Sequence, residues 1–119
     1  MLKILFVLLF PLLLLASQND YDKGRELYFQ KGCGNCHGTQ AEGSSYYPKL
    51  ANRSQKYLIK KLINFKNGIA SSQKQEIMFT FAKSLKKEDI QNIALYLSHY
   101  KVESAKNYEI SDELLGSMD

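Results

Sequence analysis

The chain has no tryptophan, and among its 119 residues only two are proline, two histidine and two cysteine. That scarcity argues against zinc, because with His37 and His99 as the only histidines a Cys/His site either spends every cysteine and histidine of the chain or takes a carboxylate or water to complete four ligands. Long apolar runs are also missing. The one run, Ile4 to Ala16, is thirteen residues long, short of the roughly 20 needed to span a bilayer. No segment alternates polar with apolar residues for long enough to make a convincing strand, which leaves an all-α reading. The length itself excludes a multidomain enzyme.

What is present begins with an address. Lys3 precedes the charge-free run, whose length suits a secretory signal, and Ser17-Gln18-Asn19-Asp20 ends it abruptly. Ala16 or Ser17 supplies a small residue for cleavage, although an Ala-x-Ala site is absent. Residues 1–17 therefore read as a signal peptide, with a retained N-terminal membrane anchor as the alternative. Either places the domain outside the cytoplasm. Residues 18–101 form the domain and 102–119 an acidic C-terminal tail.

Three segments show helical spacing. Asn19 or Asp20 caps a helix through about Lys31, with Tyr21, Gly24, Leu27 and Tyr28 on one face and Gly32 as its stop. Gly24 costs about 1 kcal/mol relative to alanine there, so another helix is expected to approach closely. Ser54 caps a second helix through about Asn67, with Tyr57, Leu58, Leu62 and Phe65 inward and Lys56, Lys60, Lys61 and Lys66 outward, ended by Gly68. A last helix runs from about Lys87 to Tyr100, with Ile90, Ile93, Ala94, Tyr96 and Leu97 inward and Glu88 and Asp89 at the positive end of its dipole. Residues 32–53 and 69–75 show no clear regular structure. So few short helices make a poor apolar core for so small a domain, which calls for a disulfide, a metal or a bound cofactor.

Cys33-Gly34-Asn35-Cys36-His37 answers that call, because C-x-x-C-H is the attachment signature of c-type haem. Two thiols three positions apart add across the vinyl groups of one porphyrin, and the adjacent His37 reaches the iron. A redox dithiol needs a strand leading into a helix that begins at the first cysteine, whereas the sequence before Cys33 is helical. A plain disulfide remains the other use of two cysteines in an oxidising compartment, but thioethers explain their spacing. Met78, 41 residues after His37, is the one methionine inside the body and the candidate sixth ligand; His99 is the alternative. His/Met ligation closes both axial positions and suits one-electron transfer.

Charge is unevenly spread. Residues 18–101 hold fourteen Lys and Arg against seven Asp and Glu, while residues 102–119 hold one lysine against five acids. A basic body fits either a solvated surface or docking onto acidic patches of partner proteins; no nucleic-acid motif is present.

Taken in order, Gly24 with Tyr28, the C-x-x-C-H followed by Gly38, Pro48-Lys49-Leu50-Ala51, Tyr57-Leu58 with Leu62, Phe65 and Gly68, Met78 ahead of Leu85, and Glu88-Asp89-Ile90 leading to Ile93-Ala94 and Tyr96-Leu97 make a specific pattern. It resembles class I c-type cytochromes, in particular the small bacterial periplasmic monohaem electron carriers. The resemblance implies the cytochrome c fold: three to five short helices wrapped around one haem c, covalent through Cys33 and Cys36, with the first and last helices crossing near Gly24, Tyr28, Ile93 and Tyr96. It implies His37 and Met78 as iron ligands and a hydrogen bond from His37 to the carbonyl of Pro48. Asn52-Arg53 stand where the family often has Gly-Gln, and Arg53 is a cation available to pair with a haem propionate. Lys86 stands where a serine cap is common.

The expected function is that of a carrier and not an enzyme: a monomer taking one electron from a donor protein and passing it to a terminal acceptor, with Lys31, Lys49, Lys83 and Lys86 steering acidic docking surfaces. The alternatives are a haem c subunit of a larger redox complex, or a haem enzyme or sensor that opens its sixth position.

Overall fold

A computed structural model describes residues 19–100; the expected signal segment 1–17 and acidic tail 102–119 lie outside the described residues. Helices α1 (Asp20–Gln30), α2 (Cys33–His37) and α3 (Gln55–Lys66) are followed by a 3₁₀ turn at Gln73–Ile77, then α4 (Met78–Ala82) and α5 (Lys87–Ser98), and no strand occurs among the described residues. No described helix is long and apolar enough to cross a membrane.

Helix α1 starts where Asn19 turns its side chain onto the backbone N–H of Asp22, 2.8 Å away, which satisfies one of the N–H groups that a helix start leaves unpaired. Gly32, at φ +77°, breaks the chain between α1 and α2. The reason for Gly24 lies across the interface with α5. A Cβ at Gly24 would stand 2.5 Å from the carbonyl carbon of Asn92 and 2.9 Å from Cβ of Tyr96, so only hydrogen lets the two backbones meet. Above and below this contact the rings of Tyr21 and Tyr28 flank Tyr96, with centroids 5.2 and 5.7 Å from it. The first and last helices therefore cross where the resemblance placed the crossing.

In α3, Ser54 accepts from the N–H of Tyr57 at 3.1 Å, and the chain leaves the helix through Gly68 at φ +72°. Leu58 and Phe65 are buried as expected, but Tyr57 is 43% exposed. Its ring lines a cavity and is not packed into the core. Lys61, expected on the solvent side, lines the same cavity. Lys66 folds back to donate to the carbonyls of Lys83 at 3.0 Å and Leu85 at 2.5 Å, so it ties α3 to the turn before α5.

Helix α5 buries Ile90, Ile93, Ala94, Tyr96 and Leu97, each large aliphatic side chain contributing about 1.5–3 kcal/mol when removed from water. Lys86 has no side-chain acceptor to cap with. Instead the Lys86 N–H donates to the carboxylate of Asp89 at 2.9 Å, which supplies half of a capping box from the other end.

The two stretches read as irregular are partly helical. Helix α2 lies inside 32–53, and the 3₁₀ turn overlaps 69–75 and leads straight into α4. The remainder of 38–53 is held by backbone hydrogen bonds: the His37 carbonyl accepts from Gly43 at 2.8 Å, and the Ala41 carbonyl accepts from both Leu50 and Ala51 at 2.9 and 3.1 Å. Asn52 takes a left-handed φ of +62°, a conformation asparagine tolerates better than most residues, and donates its N–H to the carbonyl of Leu97 at 2.8 Å. That position is where the family often has glycine, so the departure keeps the backbone geometry.

Candidate functional site

The elements enclose an apolar cavity of about 520 Å³, within the roughly 300–1,000 Å³ typical of cofactor sites. It is lined by α2 and the loop after it, by α3, the 3₁₀ turn and α4, and by Ile93 and Leu97 of α5. Cys33, Cys36, His37, Pro48 and Met78 all line it.

Cys33 and Cys36 face the cavity from one turn of helix, and both are free thiols. Burial pushes the Cys33 thiol up to about 11, its own backbone N–H pulling weakly the other way. It is therefore protonated at neutral pH and poorly suited to nucleophilic redox exchange, which needs a thiolate. Among the described residues no group of three or more His, Cys, Asp or Glu side chains is placed to hold a metal ion.

His37 is 6% exposed, and its Nδ1 lies 2.9 Å from the carbonyl oxygen of Pro48. A carbonyl oxygen only accepts, so Nδ1 carries the proton and Nε2 keeps its lone pair free for a metal. The edge of Tyr47 packs against the same imidazole, centroids 6.3 Å apart. Behind it the Tyr28 hydroxyl donates to the carbonyl of Gly38 at 2.6 Å, fixing the residue that follows the histidine. Met78 opens α4 and lines the same cavity, half-buried against the core. His99 is exposed at the end of α5, beside Ser98, and does not line the cavity.

These residues fit a covalent haem. The thiols, a histidine with its outer nitrogen already committed, a thioether lining the same cavity and an apolar interior could supply attachment, two donors to iron and an apolar pocket, and no Asp or Glu among the described residues lines the cavity. The cations that do line it are Arg53, Lys61 and Lys74. None of Lys31, Lys49, Lys83 and Lys86, the lysines expected to flank the site, is among the lining residues. Lys61 was legible: it falls four residues after Tyr57 and four before Phe65, on the helix stripe that faces the cavity. Lys74 was not, because its place depends on a cation–π contact with Tyr46, 5.4 Å away, which the sequence does not announce.

Comparison with known proteins agrees with this geometry. The model of the family described as cytochrome c matches residues 21–101. The chain is 32% identical over 90 residues to cytochrome c-554(547) of Halothiobacillus neapolitanus, covering 69% of this chain and 98% of that one. It is 37% identical over 76 residues to the cytochrome subunit of sulfide dehydrogenase of Chlorobaculum tepidum, covering 64% of each. It is 32% identical over 66 residues to cytochrome c-552 of Acidithiobacillus ferridurans, covering 56% of this chain and 27% of that one. A C-x-x-C-H at the mouth of an apolar, helix-walled cavity and a family match over nearly the whole described region lead to one conclusion: the chain belongs to the cytochrome c family, an electron-transfer protein whose cofactor is haem c, covalent through Cys33 and Cys36.

Proposed function

We propose that this cytochrome is a periplasmic carrier of single electrons, with His37 and Met78 as the axial ligands of its haem, exported by residues 1–17 and ending in a separate acidic tail at 102–119. The observation that carries the reading is that Cys33, Cys36, His37, Pro48 and Met78, from separate elements, all line one cavity. When bound, haem c supplies an iron centre that alternates between the ferric and ferrous states. The protein's own contribution is to hold that centre still. Cys33 and Cys36 would hold the haem covalently; the Pro48 carbonyl fixes the His37 ring and its tautomer; Met78, packed against the core, would supply the second donor. With both donors supplied by side chains, small reactants would be kept off the metal, which favours electron transfer over chemistry at the iron. Basic residues around the site draw in acidic patches of donor and acceptor, which bind briefly through small, wet interfaces.

The test is the oxidised and reduced absorption spectrum of the matured protein and of Met78→Ala, each after acid-acetone extraction. Colour that stays with the protein, and a weak long-wavelength methionine-to-ferric-iron band lost in Met78→Ala, is the expected result. Absence of that band from the wild type overturns the Met78 assignment and favours an enzyme or sensor with an open sixth position.

A second reading, a subunit of a larger redox complex, is favoured by the similarity to the cytochrome subunit of sulfide dehydrogenase. Co-purification with a dehydrogenase at high salt would separate it from the free carrier.

A further inference from the structure

Between Glu42 and Glu76 the chain holds seven Lys and Arg and no Asp or Glu. Helix α3 lies in the middle of this stretch, and no acidic residue in its first turn meets the positive end of its dipole. Its lysines differ in what they touch. Lys61 lines the cavity and donates towards Gln75, and Lys66 is committed to the carbonyls of Lys83 and Leu85. Lys56 and Lys60 are exposed, and neither has an acidic partner among the described residues. Spaced four apart, they share one face of the helix and repel each other. Ile63, 41% exposed, continues that face, and Ile69, 56% exposed, lies just past the helix end. A surface that is cationic and partly apolar fits an acidic segment that carries apolar residues.

The chain contains such a segment. Residues 102–119 hold five acids, Glu103, Glu109, Asp112, Glu113 and Asp119, against one lysine, with Ile110, Leu114 and Leu115 among them. The segment follows directly on a part of the fold that is fastened beside the start of α3. The Leu97 carbonyl, near the end of α5, accepts from the Asn52 N–H at 2.8 Å, and Ser54, two residues on, caps α3. Reach is no obstacle, since the twelve residues of α3 span about 18 Å and eighteen extended residues span up to about 60 Å. A second copy of the body is a poorer occupant, because most of the described carboxylates already have partners: Asp20 with Lys23, Glu26 with Gln30, Glu42 with the Gln40 N–H and Asp89 with the Lys86 N–H.

We propose that the acidic segment 102–119 docks on the face of α3 formed by Lys56, Lys60 and Ile63 in its own chain, and that it competes there with acidic partner proteins for the basic surface. The inference needs the folded haem protein alone and holds whichever residue is the sixth ligand.

The experiment uses the matured full-length haem protein. A zero-length carbodiimide, which joins a lysine amine directly to a neighbouring carboxylate, is applied at low and high salt to an equal mixture of unlabelled and ¹⁵N-labelled protein, and the linked peptides are read by mass spectrometry. Links from Lys56 or Lys60 to acids of 102–119 within one chain, lost at high salt, are expected. In parallel, the triple variant Glu109→Gln, Asp112→Asn, Glu113→Gln is compared with the wild type for reduction by the iron(II)–EDTA dianion. It should react about two- to fivefold faster at about 0.01 M ionic strength, where the Debye length is about 30 Å, and lose that advantage at about 1 M, where it is about 3 Å. Combined with Lys56→Gln and Lys60→Gln, the same triple change should accelerate the reaction clearly less, because the face that the segment occupied is gone. Links that join only labelled to unlabelled chains overturn the proposal in favour of contact between two copies. Tail links spread evenly over the lysines of the body, Lys23 and Lys31 included, or no tail link at all, overturn it as well. An acceleration equally large in both backgrounds overturns it too, since net charge alone then accounts for the effect. Failure of the Met78 assignment shows separately, as a missing long-wavelength band in the wild type.

Discussion

Tyr28 shows how one side chain joins the fold to the site. It is wholly buried, its ring packs against Tyr96, and its hydroxyl donates to the carbonyl of Gly38, immediately after His37. Burial, reinforced by nearby Tyr96, holds the phenol protonated well above its ordinary value of 10.0. The folded protein thus keeps a proton that the unfolded chain gives up, so the contribution to stability is complete below about pH 10 and declines as pH rises beyond it. Tyr28→Phe should cost about 1 kcal/mol at neutral pH through the lost hydrogen bond. It should also flatten the alkaline fall in stability, which urea unfolding from about pH 8 to about pH 11 would reveal. An alkaline limb as steep in the variant as in the wild type would exclude Tyr28 as its source.

At the scale of elements the crossing of α1 and α5 decides most. Intrinsic propensity favours Gly24→Ala by about 1 kcal/mol, yet the added methyl would collide with the Asn92 carbonyl, and backbone cannot step aside as a side chain can. Packing should win, with a net loss of about 1–3 kcal/mol or more in chemical unfolding. A variant as stable as the wild type would show that the helices can slide apart. The glycine was readable because α1, α3 and α5 run for eleven or twelve residues, long enough for apolar spacing to repeat. Helices α2 and α4 have five residues each, little more than one turn of about 3.6, and one turn has no period to detect. The site divides the same way. Cys33, Cys36 and His37 announce themselves by adjacency. Met78 and Pro48 came from chain order and resemblance, as did Arg53; of the other cations lining the cavity, Lys61 lies on a legible helix stripe, while Lys74 owes its place to a tertiary contact with Tyr46. Tyr57 was read as core because its spacing marks only the inward face, and a cavity wall and a packed core present the same stripe.

For the whole molecule, the excess of basic residues over residues 18–101 predicts that raising ionic strength slows reduction by an acidic partner, since charges farther apart than the Debye length, about 8 Å at 0.15 M, are screened. Stopped-flow rates across a salt series would check it, and a flat series would remove electrostatic steering. The two walls of the cavity are also built differently. The wall carrying His37 is laced by main-chain hydrogen bonds that reach across several residues and on to α5, from Gly43 to His37, from Leu50 and Ala51 to Ala41, and from Asn52 to Leu97. The wall carrying Met78 hangs on a five-residue helix whose flanking turns are tied to α3 through lysine side chains, Lys61 to Gln75 before it and Lys66 to Lys83 and Leu85 after it. The molecule therefore has a stiff jaw and a compliant one. The compliant jaw is expected to give way first under denaturant, so that the cavity opens on its Met78 side while the segment carrying His37 holds.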